Sequence, residues 1–324
     1  MTDGHKKAPR EGDACRHLSE GSSDELGKLP ARLDRYSSAR KRAKTMIAHL
    51  KTAGDFKGER KALSECGNYL LFHRYYTIGE VRLVRSKSCK KHLLCPLCAV
   101  RRGAKALREY LARFEHVTAD RPALRPYLVT LTVANGPDLA ERQRHLANSL
   151  KRYHQTRKNF AKGLRTTHTE VCKAEGAVWS FEVTNKGNGW HPHVHAIWLC
   201  ESEPDKWELS REWHAITGDS IIVDVSCDEA QEPSKMFSEV FKYAMKFSEL
   251  ELADNVEAYI RLRGKRLVGS FGLFYGVKVP AKLDDEILAD LPYIELFYTY
   301  RDGAGYELRT AEPVNPGRAA AAEG

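Results

Sequence analysis

The stretch Trp190-His-Pro-His-Val-His-Ala-Ile-Trp198 decides how the central part of this chain folds. Its three histidines occupy alternate positions, and residues two apart in a β-strand lie on the same face. His193 and His195 therefore share one face, with His191 at the mouth of the strand as a further candidate ligand. Two imidazoles side by side on a rigid strand are well suited to bind a metal ion. The alternative interpretation is a set of partly buried core histidines, each hydrogen-bonded to a neighbour.

The preceding segment predicts the partner of this strand. Residues 177–184 alternate between large apolar side chains and small or polar ones, and the glycine-containing loop 185–189 follows. So short a connection predicts an antiparallel hairpin. Glu182 lies on the face opposite Trp179, Phe181 and Val183, and a buried carboxylate is costly unless it is paired or bound to a cation. Together with the two histidines it predicts a site for Mg²⁺ or Mn²⁺ that keeps coordination positions open for a phosphate oxygen.

Further elements on both sides of the hairpin define the fold class. β-branched runs and helical periodicity predict, in chain order, a strand at 127–134, a helix to about 163, the two hairpin strands, a helix at 203–216, a strand at 220–225 and a helix at 234–249. This order predicts an antiparallel sheet covered by helices, an α+β domain over roughly residues 125–280.

Composition narrows the class of protein. The chain has 324 residues, a formal charge of +9 and 42% hydrophobic residues, which is typical of a globular protein with a moderate preference for polyanionic partners. No apolar run approaches the length of about 18 residues that a membrane helix needs. No apolar stretch follows the first residues, so we expect no signal peptide and a cytoplasmic location. In that reducing compartment the eight cysteines favour metal binding or free thiols over disulfides.

A cysteine cluster precedes the α+β domain. Cys95 and Cys98 form a C-x2-C knuckle, and Cys89 lies shortly before it. Structural zinc takes four nitrogen or sulfur ligands, and a knuckle supplies two of them from one turn. Cys66 and His92 are the alternatives for the fourth ligand, and buried free thiols are the alternative to zinc itself.

Two segments in this region are basic. The predicted helix at 37–52 carries many lysines and arginines, and a second basic segment follows the knuckle directly at Arg101, Arg102 and Lys105. Such helices present either a solvated face or a face that contacts phosphates. Residues 1–34 are polar and without periodicity, which predicts a disordered lead.

The helix at 234–249 carries a candidate nucleophile. Tyr243 falls at the edge of the apolar face of this helix, flanked by Glu239, Lys242 and Lys246. Packing at a core boundary is the ordinary role of such a tyrosine. Its charged neighbours instead suit a phenol that attacks phosphorus, because they bind a phosphate and handle a proton.

Taken together, these motifs resemble the plasmid rolling-circle replication initiators of the HUH endonuclease superfamily. The resemblance is carried, in the expected order over about residues 66–275, by the cysteine knuckle, YLVTLTVAN at 127–135, FEVTNKGNGWHPHVHAIW at 181–198, EVFKYAMKFS at 239–248 and RLRGKRLVGSFGLF at 261–274. It implies an HUH-type central antiparallel sheet flanked by helices and preceded by a small cysteine-rich zinc-binding region. The implied organisation is a lead at 1–34, a basic DNA-binding and zinc region at 35–125, the endonuclease domain at 126–280 and a C-terminal extension with a disordered tail at 281–324.

The resemblance also implies a mechanism. Tyr243 attacks a phosphodiester of single-stranded origin DNA, which leaves a 5′-phosphotyrosine and a free 3′-OH primer, while the metal at His193 and His195 polarises the phosphate. Lys242 or Lys246 steadies the nucleophile or the phosphate, and Glu239 activates water in termination. The implied partners are single- and double-stranded plasmid origin DNA and the host helicase and DNA polymerase.

Three alternatives to a replication initiator remain at the level of the sequence. A single-strand DNA transposase of the same superfamily shares the chemistry, and flanking DNA distinguishes the two. A metallohydrolase with a His-x-His pair needs further ligands at strand ends, and no Asp-x-His follows this motif. A non-catalytic zinc protein that regulates copy number binds DNA without needing Tyr243.

Overall fold

The computed structural model describes residues 25–227, 232–246, 250–276 and 291–315, with the side chains of 25, 26 and 243–246 outside that description. The fold is α+β, with antiparallel sheets flanked by helices, as the sequence predicts. No helix in the described ranges is both long and apolar enough to cross a membrane.

Within the described residues, the larger sheet has five strands in the order β6-β3-β5-β4-β7. These strands are β3 (Arg125–Thr132), β4 (Gly176–Asn185), β5 (Trp190–Cys200), β6 (Val223–Ser226) and β7 (Val268–Gly272). β5 is the central strand and pairs antiparallel with β3 and β4. The predicted hairpin is therefore present, and the histidine strand is flanked on both sides.

Helices cover both faces of this sheet. One face packs against α4 (Leu139–Ala161), α5 (Lys206–Thr217) and α7 (Leu252–Leu262), with Phe181 and Trp198 in the shared core. The other face packs against α3 (Pro96–Asp120) and α6 (Pro233–Lys246), with Val178 and Ile197 in a second core. Because side chains alternate along a strand, the histidines two and four residues before Ile197 lie on the face that α6 covers.

A second sheet has four strands in the order β2-β1-β8-β9. They are β1 (Tyr69–Tyr75), β2 (Glu80–Ser86), β8 (Tyr293–Arg301) and β9 (Gly305–Val314). The long helix α1 (Glu25–His49) contacts β2 and β9, while the shorter α2 (Lys57–Glu65) precedes β1. Residues from the two ends of the sequence thus complete one sheet.

The described elements near the two ends of the sequence add detail that the sequence does not predict. Helix α1 begins at Glu25 rather than Ser37, so residues 25–34 of the predicted disordered lead are helical, and residues 1–24 lie outside the described ranges. The predicted C-terminal extension contains the strands β8 and β9, and β8 pairs with β1 from Tyr69↔Thr299 to Arg74↔Ile294. Of the predicted tail, residues 316–324 lie outside the described ranges.

Candidate functional site

Glu182, His193 and His195 converge on one point of the larger sheet. Glu182 Oε2 lies 2.8 Å from His193 Nε2 and 3.0 Å from His195 Nε2. Only 1% of the Glu182 side chain is exposed, against 12% and 11% for the two histidines. One carboxylate and two imidazoles form a donor set typical of a divalent cation with open coordination positions.

Strand register produces this convergence. Glu182 pairs with His193 across the β4–β5 ladder, and His195 pairs with Ser180. Directly paired residues place their Cβ atoms about 5 Å apart on the same face. The predicted grouping of the three side chains is therefore present in the structure.

Hydrogen bonds at the other ring nitrogen orient both imidazoles. His193 Nδ1 lies 3.2 Å from the carbonyl oxygen of His191, and His195 Nδ1 lies 3.1 Å from Thr130 Oγ1. The carbonyl oxygen of His191 accepts a hydrogen bond from Nδ1 of His193. With Thr130 Oγ1 accepting from His195 Nδ1 in the same way, the Nε2 lone pairs of both rings are available for a ligand bond. The donor chemistry and the outer hydrogen bonds both fit a cation bound at Nε2.

His191 lies outside the group of three. Its ring centroid is 5.3 Å from that of His193. Desolvation lowers its pKa, and the charge of His193 acts in the same direction. The structure therefore groups Glu182, His193 and His195 without His191, although the sequence also predicts His191 as a candidate ligand.

The backbone of α6 carries Tyr243 along β4. Phe237 packs on Phe274 with a centroid separation of 5.8 Å, beyond the end of β7 where Gly272 pairs with Gly176. One turn later, the carbonyl oxygen of Val240 accepts a hydrogen bond of 2.5 Å from Ser180 Oγ. The helix therefore advances from the start of β4 towards Glu182.

The side chains predicted around the nucleophile are described only in part. Glu239 and Lys242 form an ion pair on α6. Tyr243 and Lys246 lie in the same helix, but their side chains are outside the described part of the chain.

Four cysteines form a separate cluster beside α3. The Sγ atoms of Cys66, Cys89, Cys95 and Cys98 lie within 4.8 Å of one another. Three of the separations measure 3.5, 3.6 and 3.6 Å, close to the edge of about 3.8 Å in a zinc tetrahedron with Zn–S bonds of about 2.3 Å. They are far longer than a disulfide bond of about 2.05 Å.

The fourth member of the cluster is Cys66, one of the two alternatives that the sequence leaves for the fourth ligand. Cys66 follows α2, so it joins that helix to the knuckle at the start of α3. Hydrogen bonds from the neighbouring thiols, Cys66 first, hold the pKa of Cys98 well below its usual range. The cluster does not include His92, whose pKa is lowered by burial.

The sequence did not predict two hydroxyl groups that lie at the site. Thr130 and Ser180 are the cross-strand neighbours of His195 on β3 and β4. Extending the predicted hairpin register by one pair identifies Ser180. Thr130 required the pairing of β3 with β5, which no local turn indicates.

Comparisons with known proteins give matches to replication proteins. A family model described as "Replication protein" (Rep_1) matches residues 80–296. A "Protein rep" from Streptococcus pneumoniae serotype 2 (strain D39 / NCTC 7466) is 27% identical over 277 residues, which cover 76% of this chain and 81% of the relative. A "Protein rep" from Lentilactobacillus hilgardii is 24% identical over 251 residues, which cover 69% of this chain and 75% of the relative. No solved structure matches the chain.

The family match covers the strand pair that holds Glu182, His193 and His195, the helix α6 and three of the four clustered cysteines. The predicted membership of a replication initiator family is confirmed. The chain belongs to the Rep_1 family of replication proteins, which makes it a Rep-type replication initiator.

Proposed function

We propose that this protein is a metal-dependent, site-specific single-strand DNA endonuclease and strand transferase that initiates rolling-circle replication of a plasmid. The observation that carries the proposal is the convergence of Glu182, His193 and His195 on the sheet face covered by α6. A buried carboxylate between two imidazoles is expensive to maintain without a cation. A cation at this position suits replication initiation, because a DNA strand must be cleaved to give a free 3′-OH before a polymerase can extend that end.

The cation site serves the scissile phosphate. When bound, Mg²⁺ or Mn²⁺ lowers the cost of the negative charge that develops on the phosphate oxygens. Glu182 Oε2 and the Nε2 atoms of His193 and His195 would hold the ion, and the β4–β5 ladder fixes their separation. The protein thereby contributes a rigid anchor to which the DNA backbone is brought.

Tyr243 is the proposed nucleophile. A helix rises about 1.5 Å per residue and a strand about 3.4 Å per residue. Ser180 on β4 and Val240 on α6 are joined by a hydrogen bond. The backbone of Tyr243 lies about 4.5 Å beyond Val240 along α6, and the backbone of Glu182 lies about 7 Å beyond Ser180 along β4. This proximity of the two backbone positions supports an attack by the phenol oxygen of Tyr243 on a phosphate held beside Glu182.

The proposed chemistry conserves the phosphodiester. The Tyr243 oxygen loses its proton and forms a bond to phosphorus, and the bond from phosphorus to the 3′ oxygen breaks. That oxygen takes up a proton and becomes the 3′-OH primer, while the 5′ phosphate stays on the tyrosine. Lys242 or Lys246 steadies the phosphate, and Glu239 later activates water or assists strand transfer in termination.

The region before β3 is proposed to hold the DNA. Zinc bound by Cys66, Cys89, Cys95 and Cys98 fixes the first turn of α3, from which the exposed side chains Arg102, Lys105 and Arg108 project. Helix α3 lies antiparallel to α6, because Phe114 contacts Phe237 and Tyr110 contacts Phe241. The basic part of α3 therefore runs beside the half of α6 that contains Tyr243, which suits a path for a phosphate backbone. Origin DNA, a host helicase and a host polymerase in the cytoplasm are the proposed partners.

Tyr243→Phe tests the proposal directly. The variant is expected to fold, to bind double-stranded origin DNA and to lose all nicking and all covalent adduct with an origin oligonucleotide in Mn²⁺. Tyr76→Phe, at an exposed tyrosine in the β1–β2 turn, is the matched control and should keep full activity. A covalent protein–DNA product from Tyr243→Phe would show that another residue is the nucleophile. Undiminished nicking by the wild-type protein in EDTA would exclude the cation.

A further inference from the structure

His195 lies between two hydroxyl side chains that point to different parts of the site. Thr130 pairs with it from β3 and Ser180 from β4, so all three side chains occupy one row across the sheet. Thr130 Oγ1 contacts the imidazole itself, at 3.1 Å from Nδ1. Ser180 Oγ instead leaves the sheet and donates to the carbonyl oxygen of Val240 on α6, at 2.5 Å.

We propose that these two hydroxyls divide the positioning of the site, Thr130 aligning His195 for the cation and Ser180 fixing the nucleophile helix above the sheet. The proposal rests on the proposed nicking function and adds two positioning residues to it.

Thr130 acts on the ligand ring. A histidine bound to a metal through Nε2 needs a partner at Nδ1 that fixes its tautomer and the direction of its lone pair. The backbone carbonyl of His191 does this for His193, and no substitution removes that group. For His195 the partner is a side chain, so the contribution of this outer contact is open to mutation.

Ser180 acts on the helix. Its side chain is 1% exposed, and its hydroxyl reaches a carbonyl that already belongs to the α6 backbone, one turn before Tyr243. A buried hydroxyl needs such a partner. The bond ties β4, which carries Glu182, to α6, which carries the nucleophile. A displacement of about 1 Å of a reacting group slows an enzyme about 100-fold, so a single tie of this kind affects rate without affecting the cation.

A crossed experiment separates the two roles. Mn²⁺ affinity is measured by calorimetry on zinc-loaded protein without DNA, and the rate of adduct formation is measured in a single turnover at saturating Mn²⁺. Thr130→Val is expected to weaken Mn²⁺ binding about 10- to 100-fold, and Thr130→Ser to restore it. Ser180→Ala is expected to leave the Mn²⁺ affinity within about twofold and to slow adduct formation about tenfold.

Thr132→Val is the structural control. Thr132 is the next hydroxyl on the same face of β3, but it contacts Ser220 Oγ and the carbonyl oxygen of Ile222, both at 3.0 Å. It should lower the melting temperature without changing either readout. If Thr130→Val is unstable, Thr130→Ala at reduced temperature gives the same comparison with Thr130→Ser.

The outcomes distinguish this inference from the function on which it rests. A wild-type protein that neither binds Mn²⁺ nor forms an adduct overturns the proposed function. A wild-type protein that does both, with Thr130→Val and Ser180→Ala unchanged or both altered in the same readout, overturns the division of roles.

Discussion

Removal of one sulfur from the cysteine cluster is a quantitative test of the zinc site. Cys66 is the most informative position, because it comes from the end of α2 whereas the other three cysteines come from the segment that leads into α3. Cys66→Ala therefore removes the only sulfur of the cluster that ties α2 to that segment.

The expected loss follows from the energetics of zinc binding. Structural zinc sites with four ligands contribute about 10–16 kcal/mol, so an even division assigns about 3 kcal/mol to each sulfur. Since about 1.4 kcal/mol is tenfold, Cys66→Ala should weaken zinc binding roughly 100-fold. The same 3 kcal/mol is a large fraction of a typical unfolding free energy of about 5–15 kcal/mol. With an unfolding entropy of about 2.1 cal/mol/K per residue, it should lower the melting temperature of this 324-residue chain by roughly 4 °C.

The assay is zinc content by elemental analysis after dialysis against a competing chelator, together with thermal unfolding. Cys200→Ala is the matched control, since Cys200 is a fully buried thiol outside the cluster whose pKa is raised to about 12 by burial. It should retain one zinc per chain. His92→Ala should also retain zinc. Loss of zinc from His92→Ala with retention in Cys66→Ala would refute the assignment of the fourth ligand, and no zinc in the wild-type protein would refute the site.

Three further outcomes are expected. Mn²⁺-dependent nicking should be abolished by each of His193→Ala, His195→Ala and Glu182→Ala, while the affinity for double-stranded origin DNA stays within about threefold in a gel-shift assay. Nicking at the wild-type rate by any of these variants would contradict the cation site. Replacing Arg102, Lys105 and Arg108 by Gln should reduce the slope of log affinity against log salt for single-stranded DNA by about 0.7 for each lost phosphate contact. The control Arg211→Gln, on the exposed side of α5, should leave this slope unchanged. An unchanged slope in the α3 variants would show that α3 does not contact the DNA. Burial between Trp179 and Phe271 lowers the pKa of His154 from 6.5 to about 3, so the unfolded chain binds this proton more readily and the free energy of unfolding falls as pH drops from 6.5 towards 3. In denaturant titrations at pH 7 and pH 5, His154→Phe should remove up to about 1.4 kcal/mol per pH unit of that loss. An identical pH dependence in the wild-type protein and the variant would exclude the effect.

Within the larger sheet, the β4–β5 hairpin was predictable because its information is local. Along β4 one face is polar and the other apolar, and a loop of a few residues joins it to β5, so pattern and turn together define the register that brings Glu182 to His193. The pairing of Cys66 with the knuckle was open in the sequence, since the spacing of ligands does not decide between residues on different elements.

The second sheet was missed for the opposite reason. In β1 the outward positions Tyr69 and Leu71 are as apolar as the buried Leu70 and Phe72, so the alternation that marks a half-buried strand is absent. Its partner β8 is distant in sequence, and no turn signal connects the two. Thr130 belongs to the same category, because its role depends on a non-local pairing of β3 with β5.

The closure of β1 by β8 has a consequence for synthesis on the ribosome. Tyr69 pairs with Thr299, which is synthesised much later. At about 5–20 residues per second, the ribosome needs roughly 10–50 s to synthesise the chain between these two residues. Until then one edge of β1 exposes unpaired backbone groups, which are adhesive to other strands. All four cysteines of the cluster are synthesised by residue 98, whereas the second sheet is complete only after β8 and β9 have been synthesised. A nascent chain that stalls before β8 therefore carries the complete cysteine cluster next to an open edge, and it should depend on chaperones during that interval.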